Sequence, residues 1–426
     1  MRAAFYECDI TPPLGGYIEG YYSKRIAQDV YDKLYAKAVV FEDNGEVAAI
    51  VAVDVCELPV GTDEIVSKRI NEYTEIPFDR ICIAANHTHL GAPVLDSPEI
   101  NCFKDPAYTD VFFRLCADAA ILAYKRLDDV EVKYTCSTFE EDIAFNRNYE
   151  LKDGTYITNV RGDKIKRSLG GIDTDLPVIT VEKDGKLLGV VYSYALHQDT
   201  VMAKIPGYSG DYSSIVSKKL KEKYGSDFVS VFLAGACGDI NHINPDADVP
   251  IVNYEYIGNK LAKAVINAIK DTKPIGSGIN AIKEEVNLER RVISIEEATK
   301  LAPTLPKFGR IRNLIYYVST LEEKFSTHKI QGLLIGDIFI AVFPGEFYAE
   351  FGKRIKANSP FEKTMVIETI DYDCGYIPTK DLITKKDKNQ LYETSLCYGS
   401  CHVPETGDMV TEKIINIANR LNKFKE

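Results

Sequence analysis

The chain has 426 residues, 45% of them hydrophobic and 27% charged, which is long enough for a large core and typical of folded proteins. Asp and Glu number 63 against 51 Lys and Arg, a net charge of −12 that repels phosphate backbones and anionic lipid surfaces and argues against nucleic acid as a partner. No stretch reaches the length of a transmembrane span; the best one, 333–343, is short and interrupted by Asp337.

In chain order, Met1 to Asp9 carries no apolar signal core and runs straight into a strand-like segment, so the protein is expected to be cytoplasmic. Asn44-Gly45 then joins KAVVFED to EVAAIVAVDV as a hairpin, and a helical pattern covers 63–73. The apolar run ICIAAN ends in His87 and His89, and a second helix is expected over 106–125, with Pro106 suited to its first turn. Asp184-Gly185 marks another hairpin, PVITVEK to KLLGVVYSYAL, whose outgoing strand ends in His197. Gly207 to Asp211 follows, close enough in sequence to share the rim of His197 and to offer backbone N–H groups to an oxyanion; a helix over 213–224 comes next, with Ser213 as its cap. VFLAGACG ends in Asp239, inside a turn rich in Asn and Asp, and a fourth helix is expected over 254–270. Gly336-Asp337 links HKIQGLLI to IFIAVF, which ends in Pro344-Gly345-Glu346.

Ten scattered cysteines read as reduced thiols rather than a disulfide framework. Cys397, Cys401 and His402 have the closeness of a metal knuckle, but no second pair with zinc-finger spacing accompanies them. No linker, low-complexity tract or repeat of fixed period divides the chain; the softest boundary is Lys273 to Gly278. Hairpins interspersed with helices predict an α/β (α+β) fold of mixed, largely hairpin-built sheets covered by helices. There is no GxGxxG or Walker-type loop.

The recurring feature is an apolar strand that ends in a polar residue. A polar group withdrawn from water without a partner costs roughly 2–7 kcal/mol, so such tips imply something at the strand ends. Three of the six histidines lie there. Catalytic zinc commonly takes three protein ligands such as two His and one Glu, a need that two of these histidines and Glu346 would meet. Alternate residues of an extended segment face the same side, so one of His87 and His89 can bind metal while the other contacts substrate. Each residue also has a plainer reading: a strand-end histidine as a hydrogen-bonded structural group, and Glu346 as a carboxylate at a helix N-terminus, worth about 0.3–1 kcal/mol.

Taken together, these segments resemble the neutral/alkaline non-lysosomal ceramidase family, zinc-dependent amidohydrolases, over nearly the whole chain and in the same order. Asp9-Ile10-Thr11-Pro12-Pro13 with Gly20-Tyr21 looks like its opening motif, and Asn86 to Pro93 like its His-Thr-His-Ser-Gly-Pro segment, with Leu90 in place of the serine. Asn146-Arg147, Ala195-Leu196-His197, Ser209-Gly210-Asp211 and Pro344-Gly345-Glu346 resemble further elements, and Gly375 to Thr379 with Tyr392-Glu393 and Tyr398-Gly399 its tyrosine cluster. The resemblance implies zinc held by His87, His197, Glu346 and Tyr376, with His89, Arg147 and Tyr392 around a substrate amide. Zinc would lower the pKa of water toward about 7 and polarise the scissile carbonyl; His89 or Asp211 would then return a proton to the leaving amine.

Three departures bear on the substrate. Gly238-Asp239-Ile240-Asn241-His242 stands where ceramide-cleaving members have Gly-Asp-Val-Ser-Pro, and Asn241 cannot act as a serine nucleophile. Lys385 to Lys388 looks like an insertion between Tyr376 and Tyr392. The C-terminal immunoglobulin-like domain of those enzymes is not expected after the tyrosine cluster. The expectation is one large catalytic domain over 1–426, with a possible sub-domain boundary near 273–280. It would cleave an N-acyl sphingoid lipid or a smaller amide or ester. The alternative is a catalytically silent relative that binds a lipid or metabolite.

Overall fold

The computed structural model describes residues 1–201, 204–249, 253–305, 310–385 and 391–423. Its frame is one strand-and-helix unit built three times. In each, an antiparallel strand pairs with the first arm of a hairpin, and a helix then carries the chain from the second arm to a new strand parallel to it.

In the first unit β1 (Arg2–Asp9) pairs with the hairpin β2 (Tyr35–Asp43) and β3 (Glu46–Val53), and α1 (Thr62–Thr74) leads to β4 (Ile81–Ala85), parallel to β3. In the second, β5 (Glu131–Thr138), β6 (Asp175–Lys183) and β7 (Lys186–Tyr194) are followed by α3 (Asp211–Tyr224) and the parallel β8 (Val229–Ala234). In the third, β9 (Ile279–Glu289), β10 (Phe325–Ile335) and β11 (Ile338–Phe343) are followed by α5 (Ala349–Asn358) and the parallel β12 (Lys363–Glu368). The first two turns have left-handed residues at both central positions, Asn44 and Gly45 (φ 54° and 82°) and Asp184 and Gly185 (φ 50° and 75°), the twist that suits a two-residue hairpin.

Side chains alternate across each strand, and here both faces are apolar. Val39, Ile50, Val191, Val231, Ile340 and Ile367 point to one core shared by all three sheets. The opposite faces bury Val40, Val51 and Val53 under α1 and α2 (Pro106–Tyr124), Val190, Tyr192 and Phe232 under α3 and α4 (Tyr254–Ile269), and Phe339, Ala341 and Phe343 under α5 and α6 (Thr406–Lys423). Strands buried on two faces explain the unbroken apolar runs of the sequence.

The fold class expected from the sequence is the one observed. The four expected helices are present, each within two residues of its expected ends. One start is corrected: the third helix begins at Asp211 with Gly210 at its N-cap, and Ser213 Oγ donates to the Gly210 carbonyl (2.8 Å) instead of capping. The repetition missing from the sequence is present in the topology. Lys273–Pro274 pairs with β5 before the chain passes into β9, so the 273–280 segment is the link between the second and third units.

Candidate metal centre

Each unit sends one polar strand tip to the same place. His87 follows β4, His197 follows β7, and Glu346 follows β11. Their Nε2, Nε2 and Oε2 atoms converge: 3.0 Å between the two imidazoles, 3.2 Å from His87 to Glu346 and 3.0 Å from His197 to Glu346. All three residues are buried.

Backbone contacts aim them. His87 adopts φ 68°, a left-handed conformation uncommon outside glycine and often stored at functional sites. Its Nδ1 lies 2.8 Å from the Cys56 carbonyl, and His197 Nδ1 lies 3.0 Å from the Cys237 carbonyl. A carbonyl only accepts, so both rings carry their proton on Nδ1 and present the Nε2 electron pair inward, as metal-bound histidines do. Glu346 Oε2 sits against these two nitrogens yet makes no hydrogen bond. Three electron pairs facing one another across about 3 Å in a buried place is an arrangement that a cation relieves. A tetrahedral zinc ion with imidazole and carboxylate ligands about 2.0–2.2 Å away accepts donors at such separations.

Glu346 does not cap a helix, since α5 begins at Ala349 with Tyr348 as N-cap. It sits instead in a short parallel pair, 346–347 with 376–377. That register brings Tyr376 to the site, its hydroxyl 3.2 Å from His197 Nε2 and its ring stacked on the imidazole. Gly345 permits the approach: a Cβ there would lie 2.5 Å from Cys374 Sγ and 2.7 Å from the Gly375 carbonyl.

His89 Nε2 is 3.4 Å from His87 Nε2, but His89 does not share the mutual ligand distances of the other three. Its Nδ1 has no hydrogen-bond partner. Burial keeps its pKa below the usual histidine range. Gly20 makes room for it, since a Cβ there would lie 2.6 Å from the His89 ring. His89 opens on a cavity that also takes in Tyr22, Glu57, Glu99, Tyr376 and Tyr392. Tyr392 places its hydroxyl 3.2 Å from Tyr22 Oη and its ring edge-on to Tyr376.

Arg147 and Asp211 lie behind this wall. Arg147 Nε bonds Glu393, its Nη2 donates to the Gly238 carbonyl at 2.7 Å, and the guanidinium lies over the Tyr376 and Tyr392 rings at 5.2 and 5.8 Å. It faces these side chains rather than the cavity. The Asp211 carboxylate accepts from Thr200 Oγ1, Thr200 N and Tyr212 N. The oxyanion role expected for its segment is not available: Ser209 N, Gly210 N and Asp211 N bond Leu90 O, Ser214 Oγ and Ser209 Oγ.

Asp239 accepts from Asn146 Nδ2 (2.6 Å) and Ala349 N (2.8 Å), a structural tie whose carboxyl burial pushes up to about 7. Asn241 is consumed the same way, its Oδ1 accepting from Ile243 N and its Nδ2 donating to Asn159. Cys397 and Cys401 form no metal-binding group with His402 among the described residues. Lys386 to Lys388, the core of the apparent insertion, lie outside them. The sequence reading missed Glu57 and Glu99 at the cavity and the Asp199–His242 pair beside it, 3.5 Å apart. The strand-tip pattern that found Glu346 was present for Glu57, which ends the run VAVDVCE.

Two imidazoles and a carboxylate gathered from three sheets make a candidate metal centre on an α/β scaffold. The scaffold is the fold of neutral ceramidase. The structure of neutral ceramidase from Pseudomonas aeruginosa superposes with a TM-score of 0.75 at 15% identity, covering 99% of this chain and 74% of that one. A ceramidase complexed with C2 gives 0.76 at 15% identity, covering 99% and 75%. No family model matches the sequence, and no curated protein does.

Proposed function

We propose that this protein is a zinc-dependent hydrolase that cleaves an amide bond, with His87, His197, Glu346 and Tyr376 as ligands. The observation that carries the reading is the inward convergence of two Nε2 electron pairs and Glu346 Oε2, with both Nδ1 protons engaged on backbone carbonyls. Zinc bound there supplies an acidified water and a Lewis acid for the carbonyl. His89, its Nε2 3.4 Å from His87 Nε2, stands where it can take up a proton at the reacting centre and return it to the departing nitrogen. Tyr392 contacts the substrate, and Arg147, fixed by Glu393, holds Tyr376 in place. Asp211, engaged by Thr200, supports the wall rather than the proton transfer.

The fold likeness to ceramidases makes an N-acyl sphingoid amide one candidate substrate. The cavity lining favours another. Tyr22, Tyr376, Tyr392, Glu57 and Glu99 line it, side chains that suit a polar amide with hydrogen-bond donors better than two hydrocarbon chains. A screen of the zinc-loaded protein against long-chain acyl-sphingosine and short polar N-acyl amides is expected to show turnover of the short amides, abolished in His197→Ala. A zinc-loaded sample that turns over no amide, ester or lactone, yet is thermally stabilised by one of them, would instead support a catalytically silent binder.

A further inference from the structure

A second set of metal-binding side chains converges in the third unit, sharing no residue with the first centre. His328 lies on β10, Cys374 in the loop that leads to Tyr376, and His402 four residues before α6. The three are 3%, 0% and 3% exposed, and one donor atom of each lies within 4.8 Å of those of the other two. They come from distant parts of the chain, so neighbourhood in sequence does not explain the convergence.

The hydrogen bonding is incomplete in a telling way. His402 Nδ1 faces the Glu289 carbonyl at 3.4 Å, while its Nε2 is buried with no partner. A proton on Nδ1 leaves Nε2 as an unused electron pair, the form in which imidazole binds metal. A buried polar atom left unsatisfied costs about 1–3 kcal/mol. His328 has Ser326 Oγ 2.9 Å from Nε2 and Asp371 Oδ2 3.8 Å from Nδ1, so a cation bound through His328 takes the place of one of these contacts. Sulfur with two imidazoles is a donor set for zinc and its neighbours rather than for calcium or magnesium.

We propose that His328, Cys374 and His402 form a second, structural site for a zinc-class divalent cation, with Asp371 at its margin. The cation would pin the 371–376 loop to β10 and to the segment ahead of α6. That loop carries Tyr376 and, through the Gly375 carbonyl, accepts the Glu346 backbone N–H at 2.9 Å. The second site would therefore hold the platform on which two groups of the first centre stand. Metal binding would deprotonate the Cys374 thiol and release that proton to solvent.

The test measures metal, not turnover, and its His197→Ala arm reports on the first centre while the Cys374→Ser and His402→Gln arms report on the second. The full chain, isolated from zinc-supplemented cells, is expected to hold about two equivalents of zinc, falling to about one in Cys374→Ser, His402→Gln or His197→Ala. The cobalt-substituted protein should show a sulfur-to-cobalt charge-transfer band that survives His197→Ala and is lost in Cys374→Ser. If Cys374→Ser does not fold, the wild-type cobalt spectrum and the metal content of His402→Gln decide. A single equivalent that His197→Ala removes and His402→Gln leaves in place would overturn the proposal. So would a cobalt spectrum without the sulfur band, or with a band that survives loss of Cys374.

Discussion

Arg147 and Glu393 are a buried pair, 5% and 0% exposed at their side chains, and the guanidinium spans two tyrosine rings at the centre. Removing one member of such a pair strands the other charge, at a cost of about 3–5 kcal/mol. Arg147→Met is therefore expected to lose that much stability in denaturant melts, and adding Glu393→Gln should recover a large part of it. Equal loss in the single and double variants would mean that the pair is not coupled. The same residue shows what sequence can and cannot disclose. Its motif flagged Arg147, but only the structure shows its guanidinium turned to Glu393 and Tyr376 instead of the cavity. Tyr376 itself is one of 26 tyrosines, and nothing in its immediate sequence distinguishes it without the family resemblance.

Among elements, the legible ones are those specified locally. Asn44-Gly45 and Asp184-Gly185 announce their hairpins because only left-handed residues fit those turns, and the helices show their apolar periodicity. The parallel pairings of β3 with β4, β7 with β8 and β11 with β12 were not legible, since their partners meet only after a helix has been crossed. The short pair 346–347 with 376–377 is the least legible and the most consequential, because it sets Tyr376 beside His197. Gly345→Ala tests it. The added methyl would meet the Gly375 carbonyl and push the two segments apart, with an expected loss of metal affinity of about 10–100-fold, the range seen when groups supporting a ligand are disturbed. Competition with a chelator measures it; unchanged affinity would show that the register does not matter.

At the scale of the molecule, three units share a core, and each brings one candidate metal-binding side chain from a strand tip to the same place. A cation at that junction would tie all three together, and any ligand that binds only the folded state stabilises it by mass action. Chelation is expected to lower the melting temperature and added zinc to restore it. Identical melting of the stripped and loaded forms would show that no cation couples the units. The common core also explains why the sequence offered no sharp domain boundary: the link at 273–280 passes between sheets that bury the same side chains.

The most direct test of the central claim is the metal content of the native protein beside that of His197→Ala. The convergence of His87, His197 and Glu346 predicts zinc in the first and the loss of one equivalent per chain in the second. Equal metal content in the two would contradict it.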